Sequence, residues 1–205
     1  MDGNNRWSKK KSISNYDSYK TGANKLIKLT NFIFSQTNIT YISAFALSKN
    51  NLKRPSSVIN SIKKILNEYL IELSNRKLAY DINFIGDFSF FDISTKNMIE
   101  GFNKKDSSRK KLNIFLNYGG QEDIEQASYN YKQKKNYKSF LLTKNLPDPD
   151  LLVRTGGFKR ISNFMLYQIA FTELYFINKL WPEFNKSDLK RIIANYSKID
   201  RKFGK

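Results

Sequence analysis

The 205-residue chain carries 36 Lys and Arg against 18 Asp and Glu, a formal charge of +18, with 40% hydrophobic and 15% aromatic residues and neither Cys nor His. This length and apolar content describe one folded domain over residues 1–205 and exclude a disordered or fibrous chain. Without Cys or His there is no disulfide, thiolate or imidazole chemistry. Catalysis therefore falls to carboxylates, Arg, Lys, Ser or Tyr, and any metal would be a hard one such as Mg²⁺. The first residues, MDGNNRWSKKK, lack the apolar stretch of a signal peptide. The longest uncharged run, residues 29–48, is interrupted by Asn31, Ser35, Gln36 and Asn38 and reads as a helix end, a turn and a buried strand rather than a membrane span, so the default location is cytoplasmic. The excess positive charge has two readings: attraction to nucleic acid or an anionic membrane surface, or the imprint of A/T-rich codons, since the Lys residues are scattered.

In chain order, apolar residues at Leu26, Leu29 and Ile33 predict a helix from Lys20 to about Thr37, followed by a β-prone apolar segment from Ile39 to Leu47. After Arg54-Pro55, a helix is predicted through Val58, Ile62, Ile65, Leu66, Tyr69 and Leu73, with Pro55 suited to its start. Further strands are predicted at Ala79–Ile85, Leu112–Leu116, Leu151–Val153 and about Leu174–Ile177. A polar helical stretch should follow Gly120 to about Lys135, residues 104–111 read as a solvated loop, and a closing helix should run from about Ser187 to Ile199. Helices alternating with short apolar strands predict an α/β domain with a mainly parallel central sheet flanked by helices. Ligands of such sheets sit beyond the C-terminal strand ends, which in this chain carry Ser48, Gly86-Asp87, residues 117–120 and residues 154–157.

The last of these ends, RTGGFKRISNF at 154–164, sets two arginines six positions apart around a Gly pair, with a Ser-Asn pair following. Guanidiniums form paired charge-assisted bonds to phosphate oxygens, and glycine lets backbone N–H groups approach closely, so the natural ligand is a multidentate anion such as a diphosphate.

Five segments in order, MDGNNRW at 1–7, Asn51 with Arg54-Pro55, NYGG at 117–120, DLLVRTGGFKRISNF at 150–164, and TELYF with WPEF within 172–184, resemble the cis-prenyltransferases, the undecaprenyl diphosphate synthase family. The resemblance covers nearly the whole chain and implies the family fold. It also implies an Mg²⁺-dependent prenyl transferase that repeatedly condenses isopentenyl diphosphate with an allylic diphosphate, of the farnesyl type, into a polyprenyl diphosphate with Z double bonds. Carried over by position, it makes Asp2 the central acidic residue that holds Mg²⁺ on a diphosphate, with Glu173 associated with the metal. Gly3, Asn4, Arg6 and Trp7 fall on the allylic-diphosphate side, Arg154, Arg160 and Ser162 on the isopentenyl-diphosphate side, and Ser48, Asn51 and Arg54 near the reacting centre. Asn51 joins Asp2 as a catalytic candidate. The resemblance further implies a homodimer, peripheral membrane contact for product release, and no nucleic-acid partner. The hydrocarbon needs an apolar cleft, for which Phe32, Phe34, Tyr41, Phe45 and the helix from Val58 to Leu73 are candidates; the same residues would serve to fill a core.

Several positions depart from the family pattern. Tyr19 stands for a histidine, Asn5 for a glycine, Asn15 for an arginine, Asn50 and Leu52 for Glu and Trp, Phe158 for an acidic residue, and Lys202 for the arginine of a C-terminal Arg-x-Gly ending, spanning Arg201 to Gly204 in this chain. Asn5, Asn15 and Tyr19 cluster on the allylic side, which keeps a second reading open: a non-catalytic homologue acting as a partner subunit. In the family an apolar strand directly precedes the Met-Asp-Gly motif. Its absence from this sequence predicts a sheet short of its first strand, an Asp2 on a loose terminus, and a true start lying upstream.

Overall fold

In the structure, a computed structural model that describes residues 1–131 and 136–202, the parallel strands are divided between two sheets. The first has the order β1-β3-β2, from β1 (Tyr41–Ser48), β3 (Lys111–Tyr118) and β2 (Asp81–Gly86). Both of its pairings are parallel, with Tyr41 and Asp81 each opposite Lys111. The second pairs β4 (Leu151–Arg154) with β5 (Glu173–Phe176), also parallel, Arg154 lying opposite Phe176. The parallel α/β architecture is as expected, and its strands fall into two ladders: the unpaired edges of β1 and β4 border a common cavity, so no ladder joins the two halves.

The central strand β3 explains the burial pattern. Leu112 to Tyr118 are all buried, as befits a parallel strand covered on both faces, and they read in sequence as an almost continuous apolar run. Helices α2 (Asn15–Gln36), α3 (Ser56–Ser74) and α4 (Ile93–Asn103) contribute Leu26, Leu29, Leu70, Leu73, Ile99 and Phe102 to one apolar core with the first sheet, and Trp181, Phe184 and Leu189 join the same core. At the end of β2, Gly86 sits at φ 135°, and a Cβ there would lie 1.8 Å from the Leu116 carbonyl oxygen; only glycine allows the strand to turn at that point.

Two helices were not predicted. In α1 (Asn4–Lys11) Trp7 is the sole large apolar residue, so no periodicity marks it. The α4 segment did carry a signal: Asp92 caps it, accepting from the Thr95 N–H at 2.8 Å and from the Thr95 hydroxyl at 2.9 Å, and Thr95, Ile99 and Phe102 repeat at helical spacing. The α2 helix begins before the predicted Lys20 because Ser14 caps it through the Asp17 N–H, at 3.0 Å. The predicted polar helix is α5 (Gly120–Asn130), and its expected end at Lys135 lies outside the described residues, as do Phe203 and Gly204. The charged loop is not merely solvated. Buried Asp81 accepts from the Ser107 N–H and hydroxyl and from the Ser108 N–H at 2.8–2.9 Å, which fixes the entry to β3.

The closing helix α6 (Lys186–Tyr196) starts with a reciprocal cap between Asn185 and Asp188. Burial opposes ionisation of the Asp188 carboxyl, yet two 2.8 Å bonds from Lys179 Nζ, the Asn185 N–H and nearby Arg191 outweigh it and hold the group below its ordinary value. The contribution to stability is therefore present above the unfolded carboxylate range and is lost as pH falls through the lower folded value. Asp188→Asn is expected to cost about 1–2 kcal/mol at pH 7 and to flatten the acid limb of the melting temperature against pH, measured by thermal circular dichroism. An unchanged acid limb would count against this role.

Candidate active site

The cavity between β1 and β4 has a volume of about 1180 Å³. Its body is apolar, lined by Leu26, Leu29, Ile33, Ile42, Leu152 and Val153 among others. Charged and polar side chains gather where β1 and β4 end, at Ser48 and Arg154, as expected for a parallel sheet. Of the predicted site residues, Asp2, Gly3, Asn4, Arg6, Ser48, Asn51, Arg54, Arg154, Arg160 and Ser162 all line this cavity, whereas Trp7 and Glu173 do not.

Asp2 is at the centre. One carboxylate oxygen accepts from Arg154 Nη2 at 3.0 Å and the other from Arg6 Nη2 at 3.4 Å. The expectation of a loose terminus is overturned by its backbone. The Asp2 N–H donates to Thr155 Oγ1 at 3.0 Å, and the Asp2 carbonyl accepts from the Thr155 hydroxyl at 2.9 Å and from the Trp181 N–H at 2.9 Å. Two segments distant in sequence thus clamp the residue, one following β4 and one preceding α6. Neither Thr155 nor Trp181 was singled out from sequence for this role, although both lie inside the segments that carry the resemblance.

Arg154 closes the 154–164 loop on itself. Its Nη1 donates to Ser162 Oγ at 2.8 Å and to the Arg160 carbonyl. Gly156 and Gly157 sit at φ 91° and 83°, and a Cβ on Gly156 would lie 2.5 Å from Arg6 Nη2 and 3.1 Å from the Asp2 carboxyl carbon. Glycine is what allows the loop to pass against these two side chains. The loop is anchored by the Gly156 and Gly157 N–H groups on the Lys179 and Ile177 carbonyls, at 2.8 and 2.9 Å, and by Asn163, which accepts from the Gly120 and Gln121 N–H groups at 2.8 Å.

Arg54 Nη1 donates to the Tyr19 hydroxyl at 2.8 Å, so the residue that departs from histidine is integrated into the cavity wall. Burial pushes the Tyr19 phenol up, with Arg54 pulling the other way; it stays protonated, and its proton is not used by Arg54. Asn15, by contrast, is structural: its Oδ1 accepts from Ser8 and ties α1 to α2. The candidate aromatics divide. Tyr41 and Phe45 line the cavity, Phe34 is in the core, Phe32 packs against that core, and α3 contributes core residues but no lining.

Among the described residues no group of three carboxylates, His or Cys converges as a metal cage. Mg²⁺ is commonly held by one or two carboxylates plus substrate phosphates, and half-exposed Asp2 fits as such a donor. Glu173 does not fit as a second ligand within the chain. It stands at the start of β5, three residues or about 10 Å before Phe176, which is the level of Arg154.

A family model described as "Putative undecaprenyl diphosphate synthase" matches residues 1–204. The isoprenyl transferase of Rickettsia prowazekii is 37% identical, with 100% of this chain and 95% of that protein covered. The ditrans,polycis-undecaprenyl-diphosphate synthase ((2E,6E)-farnesyl-diphosphate specific) of Micrococcus luteus is 33% identical, covering 100% and 88%. Among solved structures, lavandulyl diphosphate synthase from Lavandula x intermedia, in complex with dimethylallyl diphosphate, superposes with a TM-score of 0.86 at 29% identity, covering 100% of this chain and 95% of that one. The α/β architecture, the 154–164 loop clamped onto Asp2 and these matches lead to one conclusion: the chain belongs to the undecaprenyl diphosphate synthase family of prenyltransferases.

Proposed function

We propose that the protein elongates a prenyl chain by joining isopentenyl diphosphate to an allylic diphosphate of the farnesyl type, with release of diphosphate and formation of a Z double bond at each step. One observation carries this reading. A cavity with an apolar body ends in a carboxylate shared by two guanidiniums, which suits a ligand with a hydrocarbon tail and a diphosphate head. The relative from Micrococcus luteus, named for farnesyl diphosphate, supports the choice of starter.

Arg154, Arg160 and Ser162 would bind the isopentenyl diphosphate, while Gly3, Asn4 and Arg6 meet the allylic diphosphate; Trp7, outside the cavity, would act only by packing α1. Ser48, Asn51 and Arg54 would orient the reacting carbons and assist proton loss. Asp2 would hold Mg²⁺, which supplies charge neutralisation for the departing diphosphate. The electrostatic stabilisation of an anionic leaving group needs no nucleophile and no histidine. The protein would act in the cytoplasm as a homodimer touching a membrane peripherally to release product. No helix among the described residues is long and apolar enough to cross a membrane, and Leu174, exposed on β5, offers apolar surface to a second copy. The convergence of Asp2, Arg6, Arg154 and Ser162 argues against a non-catalytic partner, which has no use for that set.

The test is incorporation of labelled isopentenyl diphosphate into extractable lipid in the presence of farnesyl diphosphate and Mg²⁺. Lipid product that disappears on omission of farnesyl diphosphate is expected. Absence of product, with isopentenyl diphosphate still bound, would favour the non-catalytic reading.

A further inference from the structure

Three guanidiniums surround a single aromatic ring at the cavity mouth. The Cζ atoms of Arg160, Arg6 and Arg154 lie 4.3, 4.8 and 5.9 Å from the centroid of Phe158. Phe158 is itself 42% exposed, which leaves its ring open to cations approaching from the cavity. Its loop is anchored on both sides by the backbone bonds of Gly156, Gly157 and Asn163, so the ring is presented from a fixed frame.

The charge balance of this cluster is uneven. Arg6 and Arg154 share one carboxylate, Asp2, and among the described residues Arg160 forms no ion pair. Three positive charges thus face one negative charge, and their mutual repulsion should push the long side chains of Arg6 and Arg160 away from the fixed Arg154. An aromatic face opposes that tendency, because its negative quadrupole attracts each cation.

The manner of holding matters for function. A carboxylate gathers guanidiniums by occupying their N–H donors and cancelling their charge. A ring beneath a guanidinium attracts the cation without consuming an N–H donor, so it does not itself occupy the groups that fork onto phosphate oxygens. We infer that Phe158 is a positioning residue that holds Arg6 and Arg160 against Arg154 as a pre-assembled cation cluster for the diphosphate head group, sparing the donors of Arg160 and most of those of Arg6, while Arg154, bonded to Asp2, Ser162 and the Arg160 carbonyl, fixes the frame. The inference deepens the proposed function and rests on its assignment of this loop to a diphosphate. It adds a residue that touches no reacting atom yet sets affinity by lowering the cost of ordering the more exposed Arg6 and Arg160 on binding.

The experiment compares wild type with Phe158→Leu and Phe158→Tyr, using inorganic pyrophosphate as the probe in titration calorimetry and isopentenyl diphosphate in steady-state kinetics. A second readout needs no ligand: the ¹⁵N-resolved Nε–H resonances of the arginines, displaced by the ring current of Phe158 in the free protein. The Leu variant is expected to lose those displacements, to bind pyrophosphate about five- to tenfold more weakly, and to raise KM for isopentenyl diphosphate by the same factor with kcat within about twofold. The Tyr variant should restore all three. A Leu variant that binds pyrophosphate as tightly as wild type overturns the inference, as does a fall in kcat without a change in KM. Wild type that shows the ring-current displacements but binds no pyrophosphate overturns the anion-site reading itself, while the ring-held cluster stands.

Discussion

Asp2→Ala is expected to lower kcat for prenyl transfer by about 10²–10³ while leaving the fold intact and the affinity for isopentenyl diphosphate unchanged or tighter. The magnitude follows from removing one preorganised electrostatic group from the place where leaving-group charge develops. The sign of the binding effect follows from the local charge. The Asp2 carboxylate is the acidic partner of both Arg6 and Arg154, so its loss leaves the anion loop more positive and frees donors for a phosphate. Retention of the fold is expected because Asp2 is clamped through its backbone: its N–H and C=O bond Thr155 and Trp181, and neither bond needs the side chain. Asp2→Asn separates shape from charge. It keeps the size and one acceptor, so a loss as large as that of Ala would locate the effect in the negative charge. Steady-state kinetics with both diphosphates varied, beside thermal melting, decide the matter. A variant that loses activity through a raised KM at constant kcat would be inconsistent with a carboxylate that acts on the leaving group.

The central strand β3 could be read from sequence because its burial is two-sided: Leu112 to Leu116 is apolar but for buried Asn113. Half-buried Leu151 to Val153 is a short apolar run, and both strands end in the polar or glycine residues that the structure places at the strand's C-terminal end. The same logic failed for α1, whose one large apolar residue gives no period to detect, and it overran for the division of the sheet. Hydrophobicity shows that β1 and β4 are strands but carries no information on which edges pair. The make-up of the 154–164 loop was legible residue by residue, Arg, Gly and Ser standing in an order that suits a phosphate ligand. Its partners were not. The approach of Asp2 to Arg154 joins positions 152 apart, and that of Arg54 to Tyr19 joins the extended segment before α3 to α2, 35 residues apart. Glu173 shows the limit of transferring a pattern by position: the residue is present, but the parallel register sets it at the opposite end of β5 from Asp2.

Arg154→Lys, conservative in charge, is expected to raise KM for isopentenyl diphosphate about 10- to 100-fold, with a smaller fall in kcat. The side chain is only 12% exposed and spends both terminal nitrogens on the site, one on Asp2 and the other on Ser162 and the Arg160 carbonyl. A lysine ammonium is a single point that cannot reach these acceptors in one plane while also forking onto a phosphate. Each charge-assisted bond lost is worth about 1.5–3 kcal/mol, which spans the stated range. The consequence extends beyond the missing bond, because Arg154 ties the start of the loop at the end of β4 to its far side at Arg160 and Ser162. Without that tie the loop has to be ordered by the substrate. Ser162→Ala removes one acceptor of the same tie, so the two substitutions should be non-additive: the double variant is expected to be little worse than Arg154→Lys alone. Fully additive losses in kcat/KM would mean that Arg154 and Ser162 contact the diphosphate independently, and that the closed loop plays no part in binding.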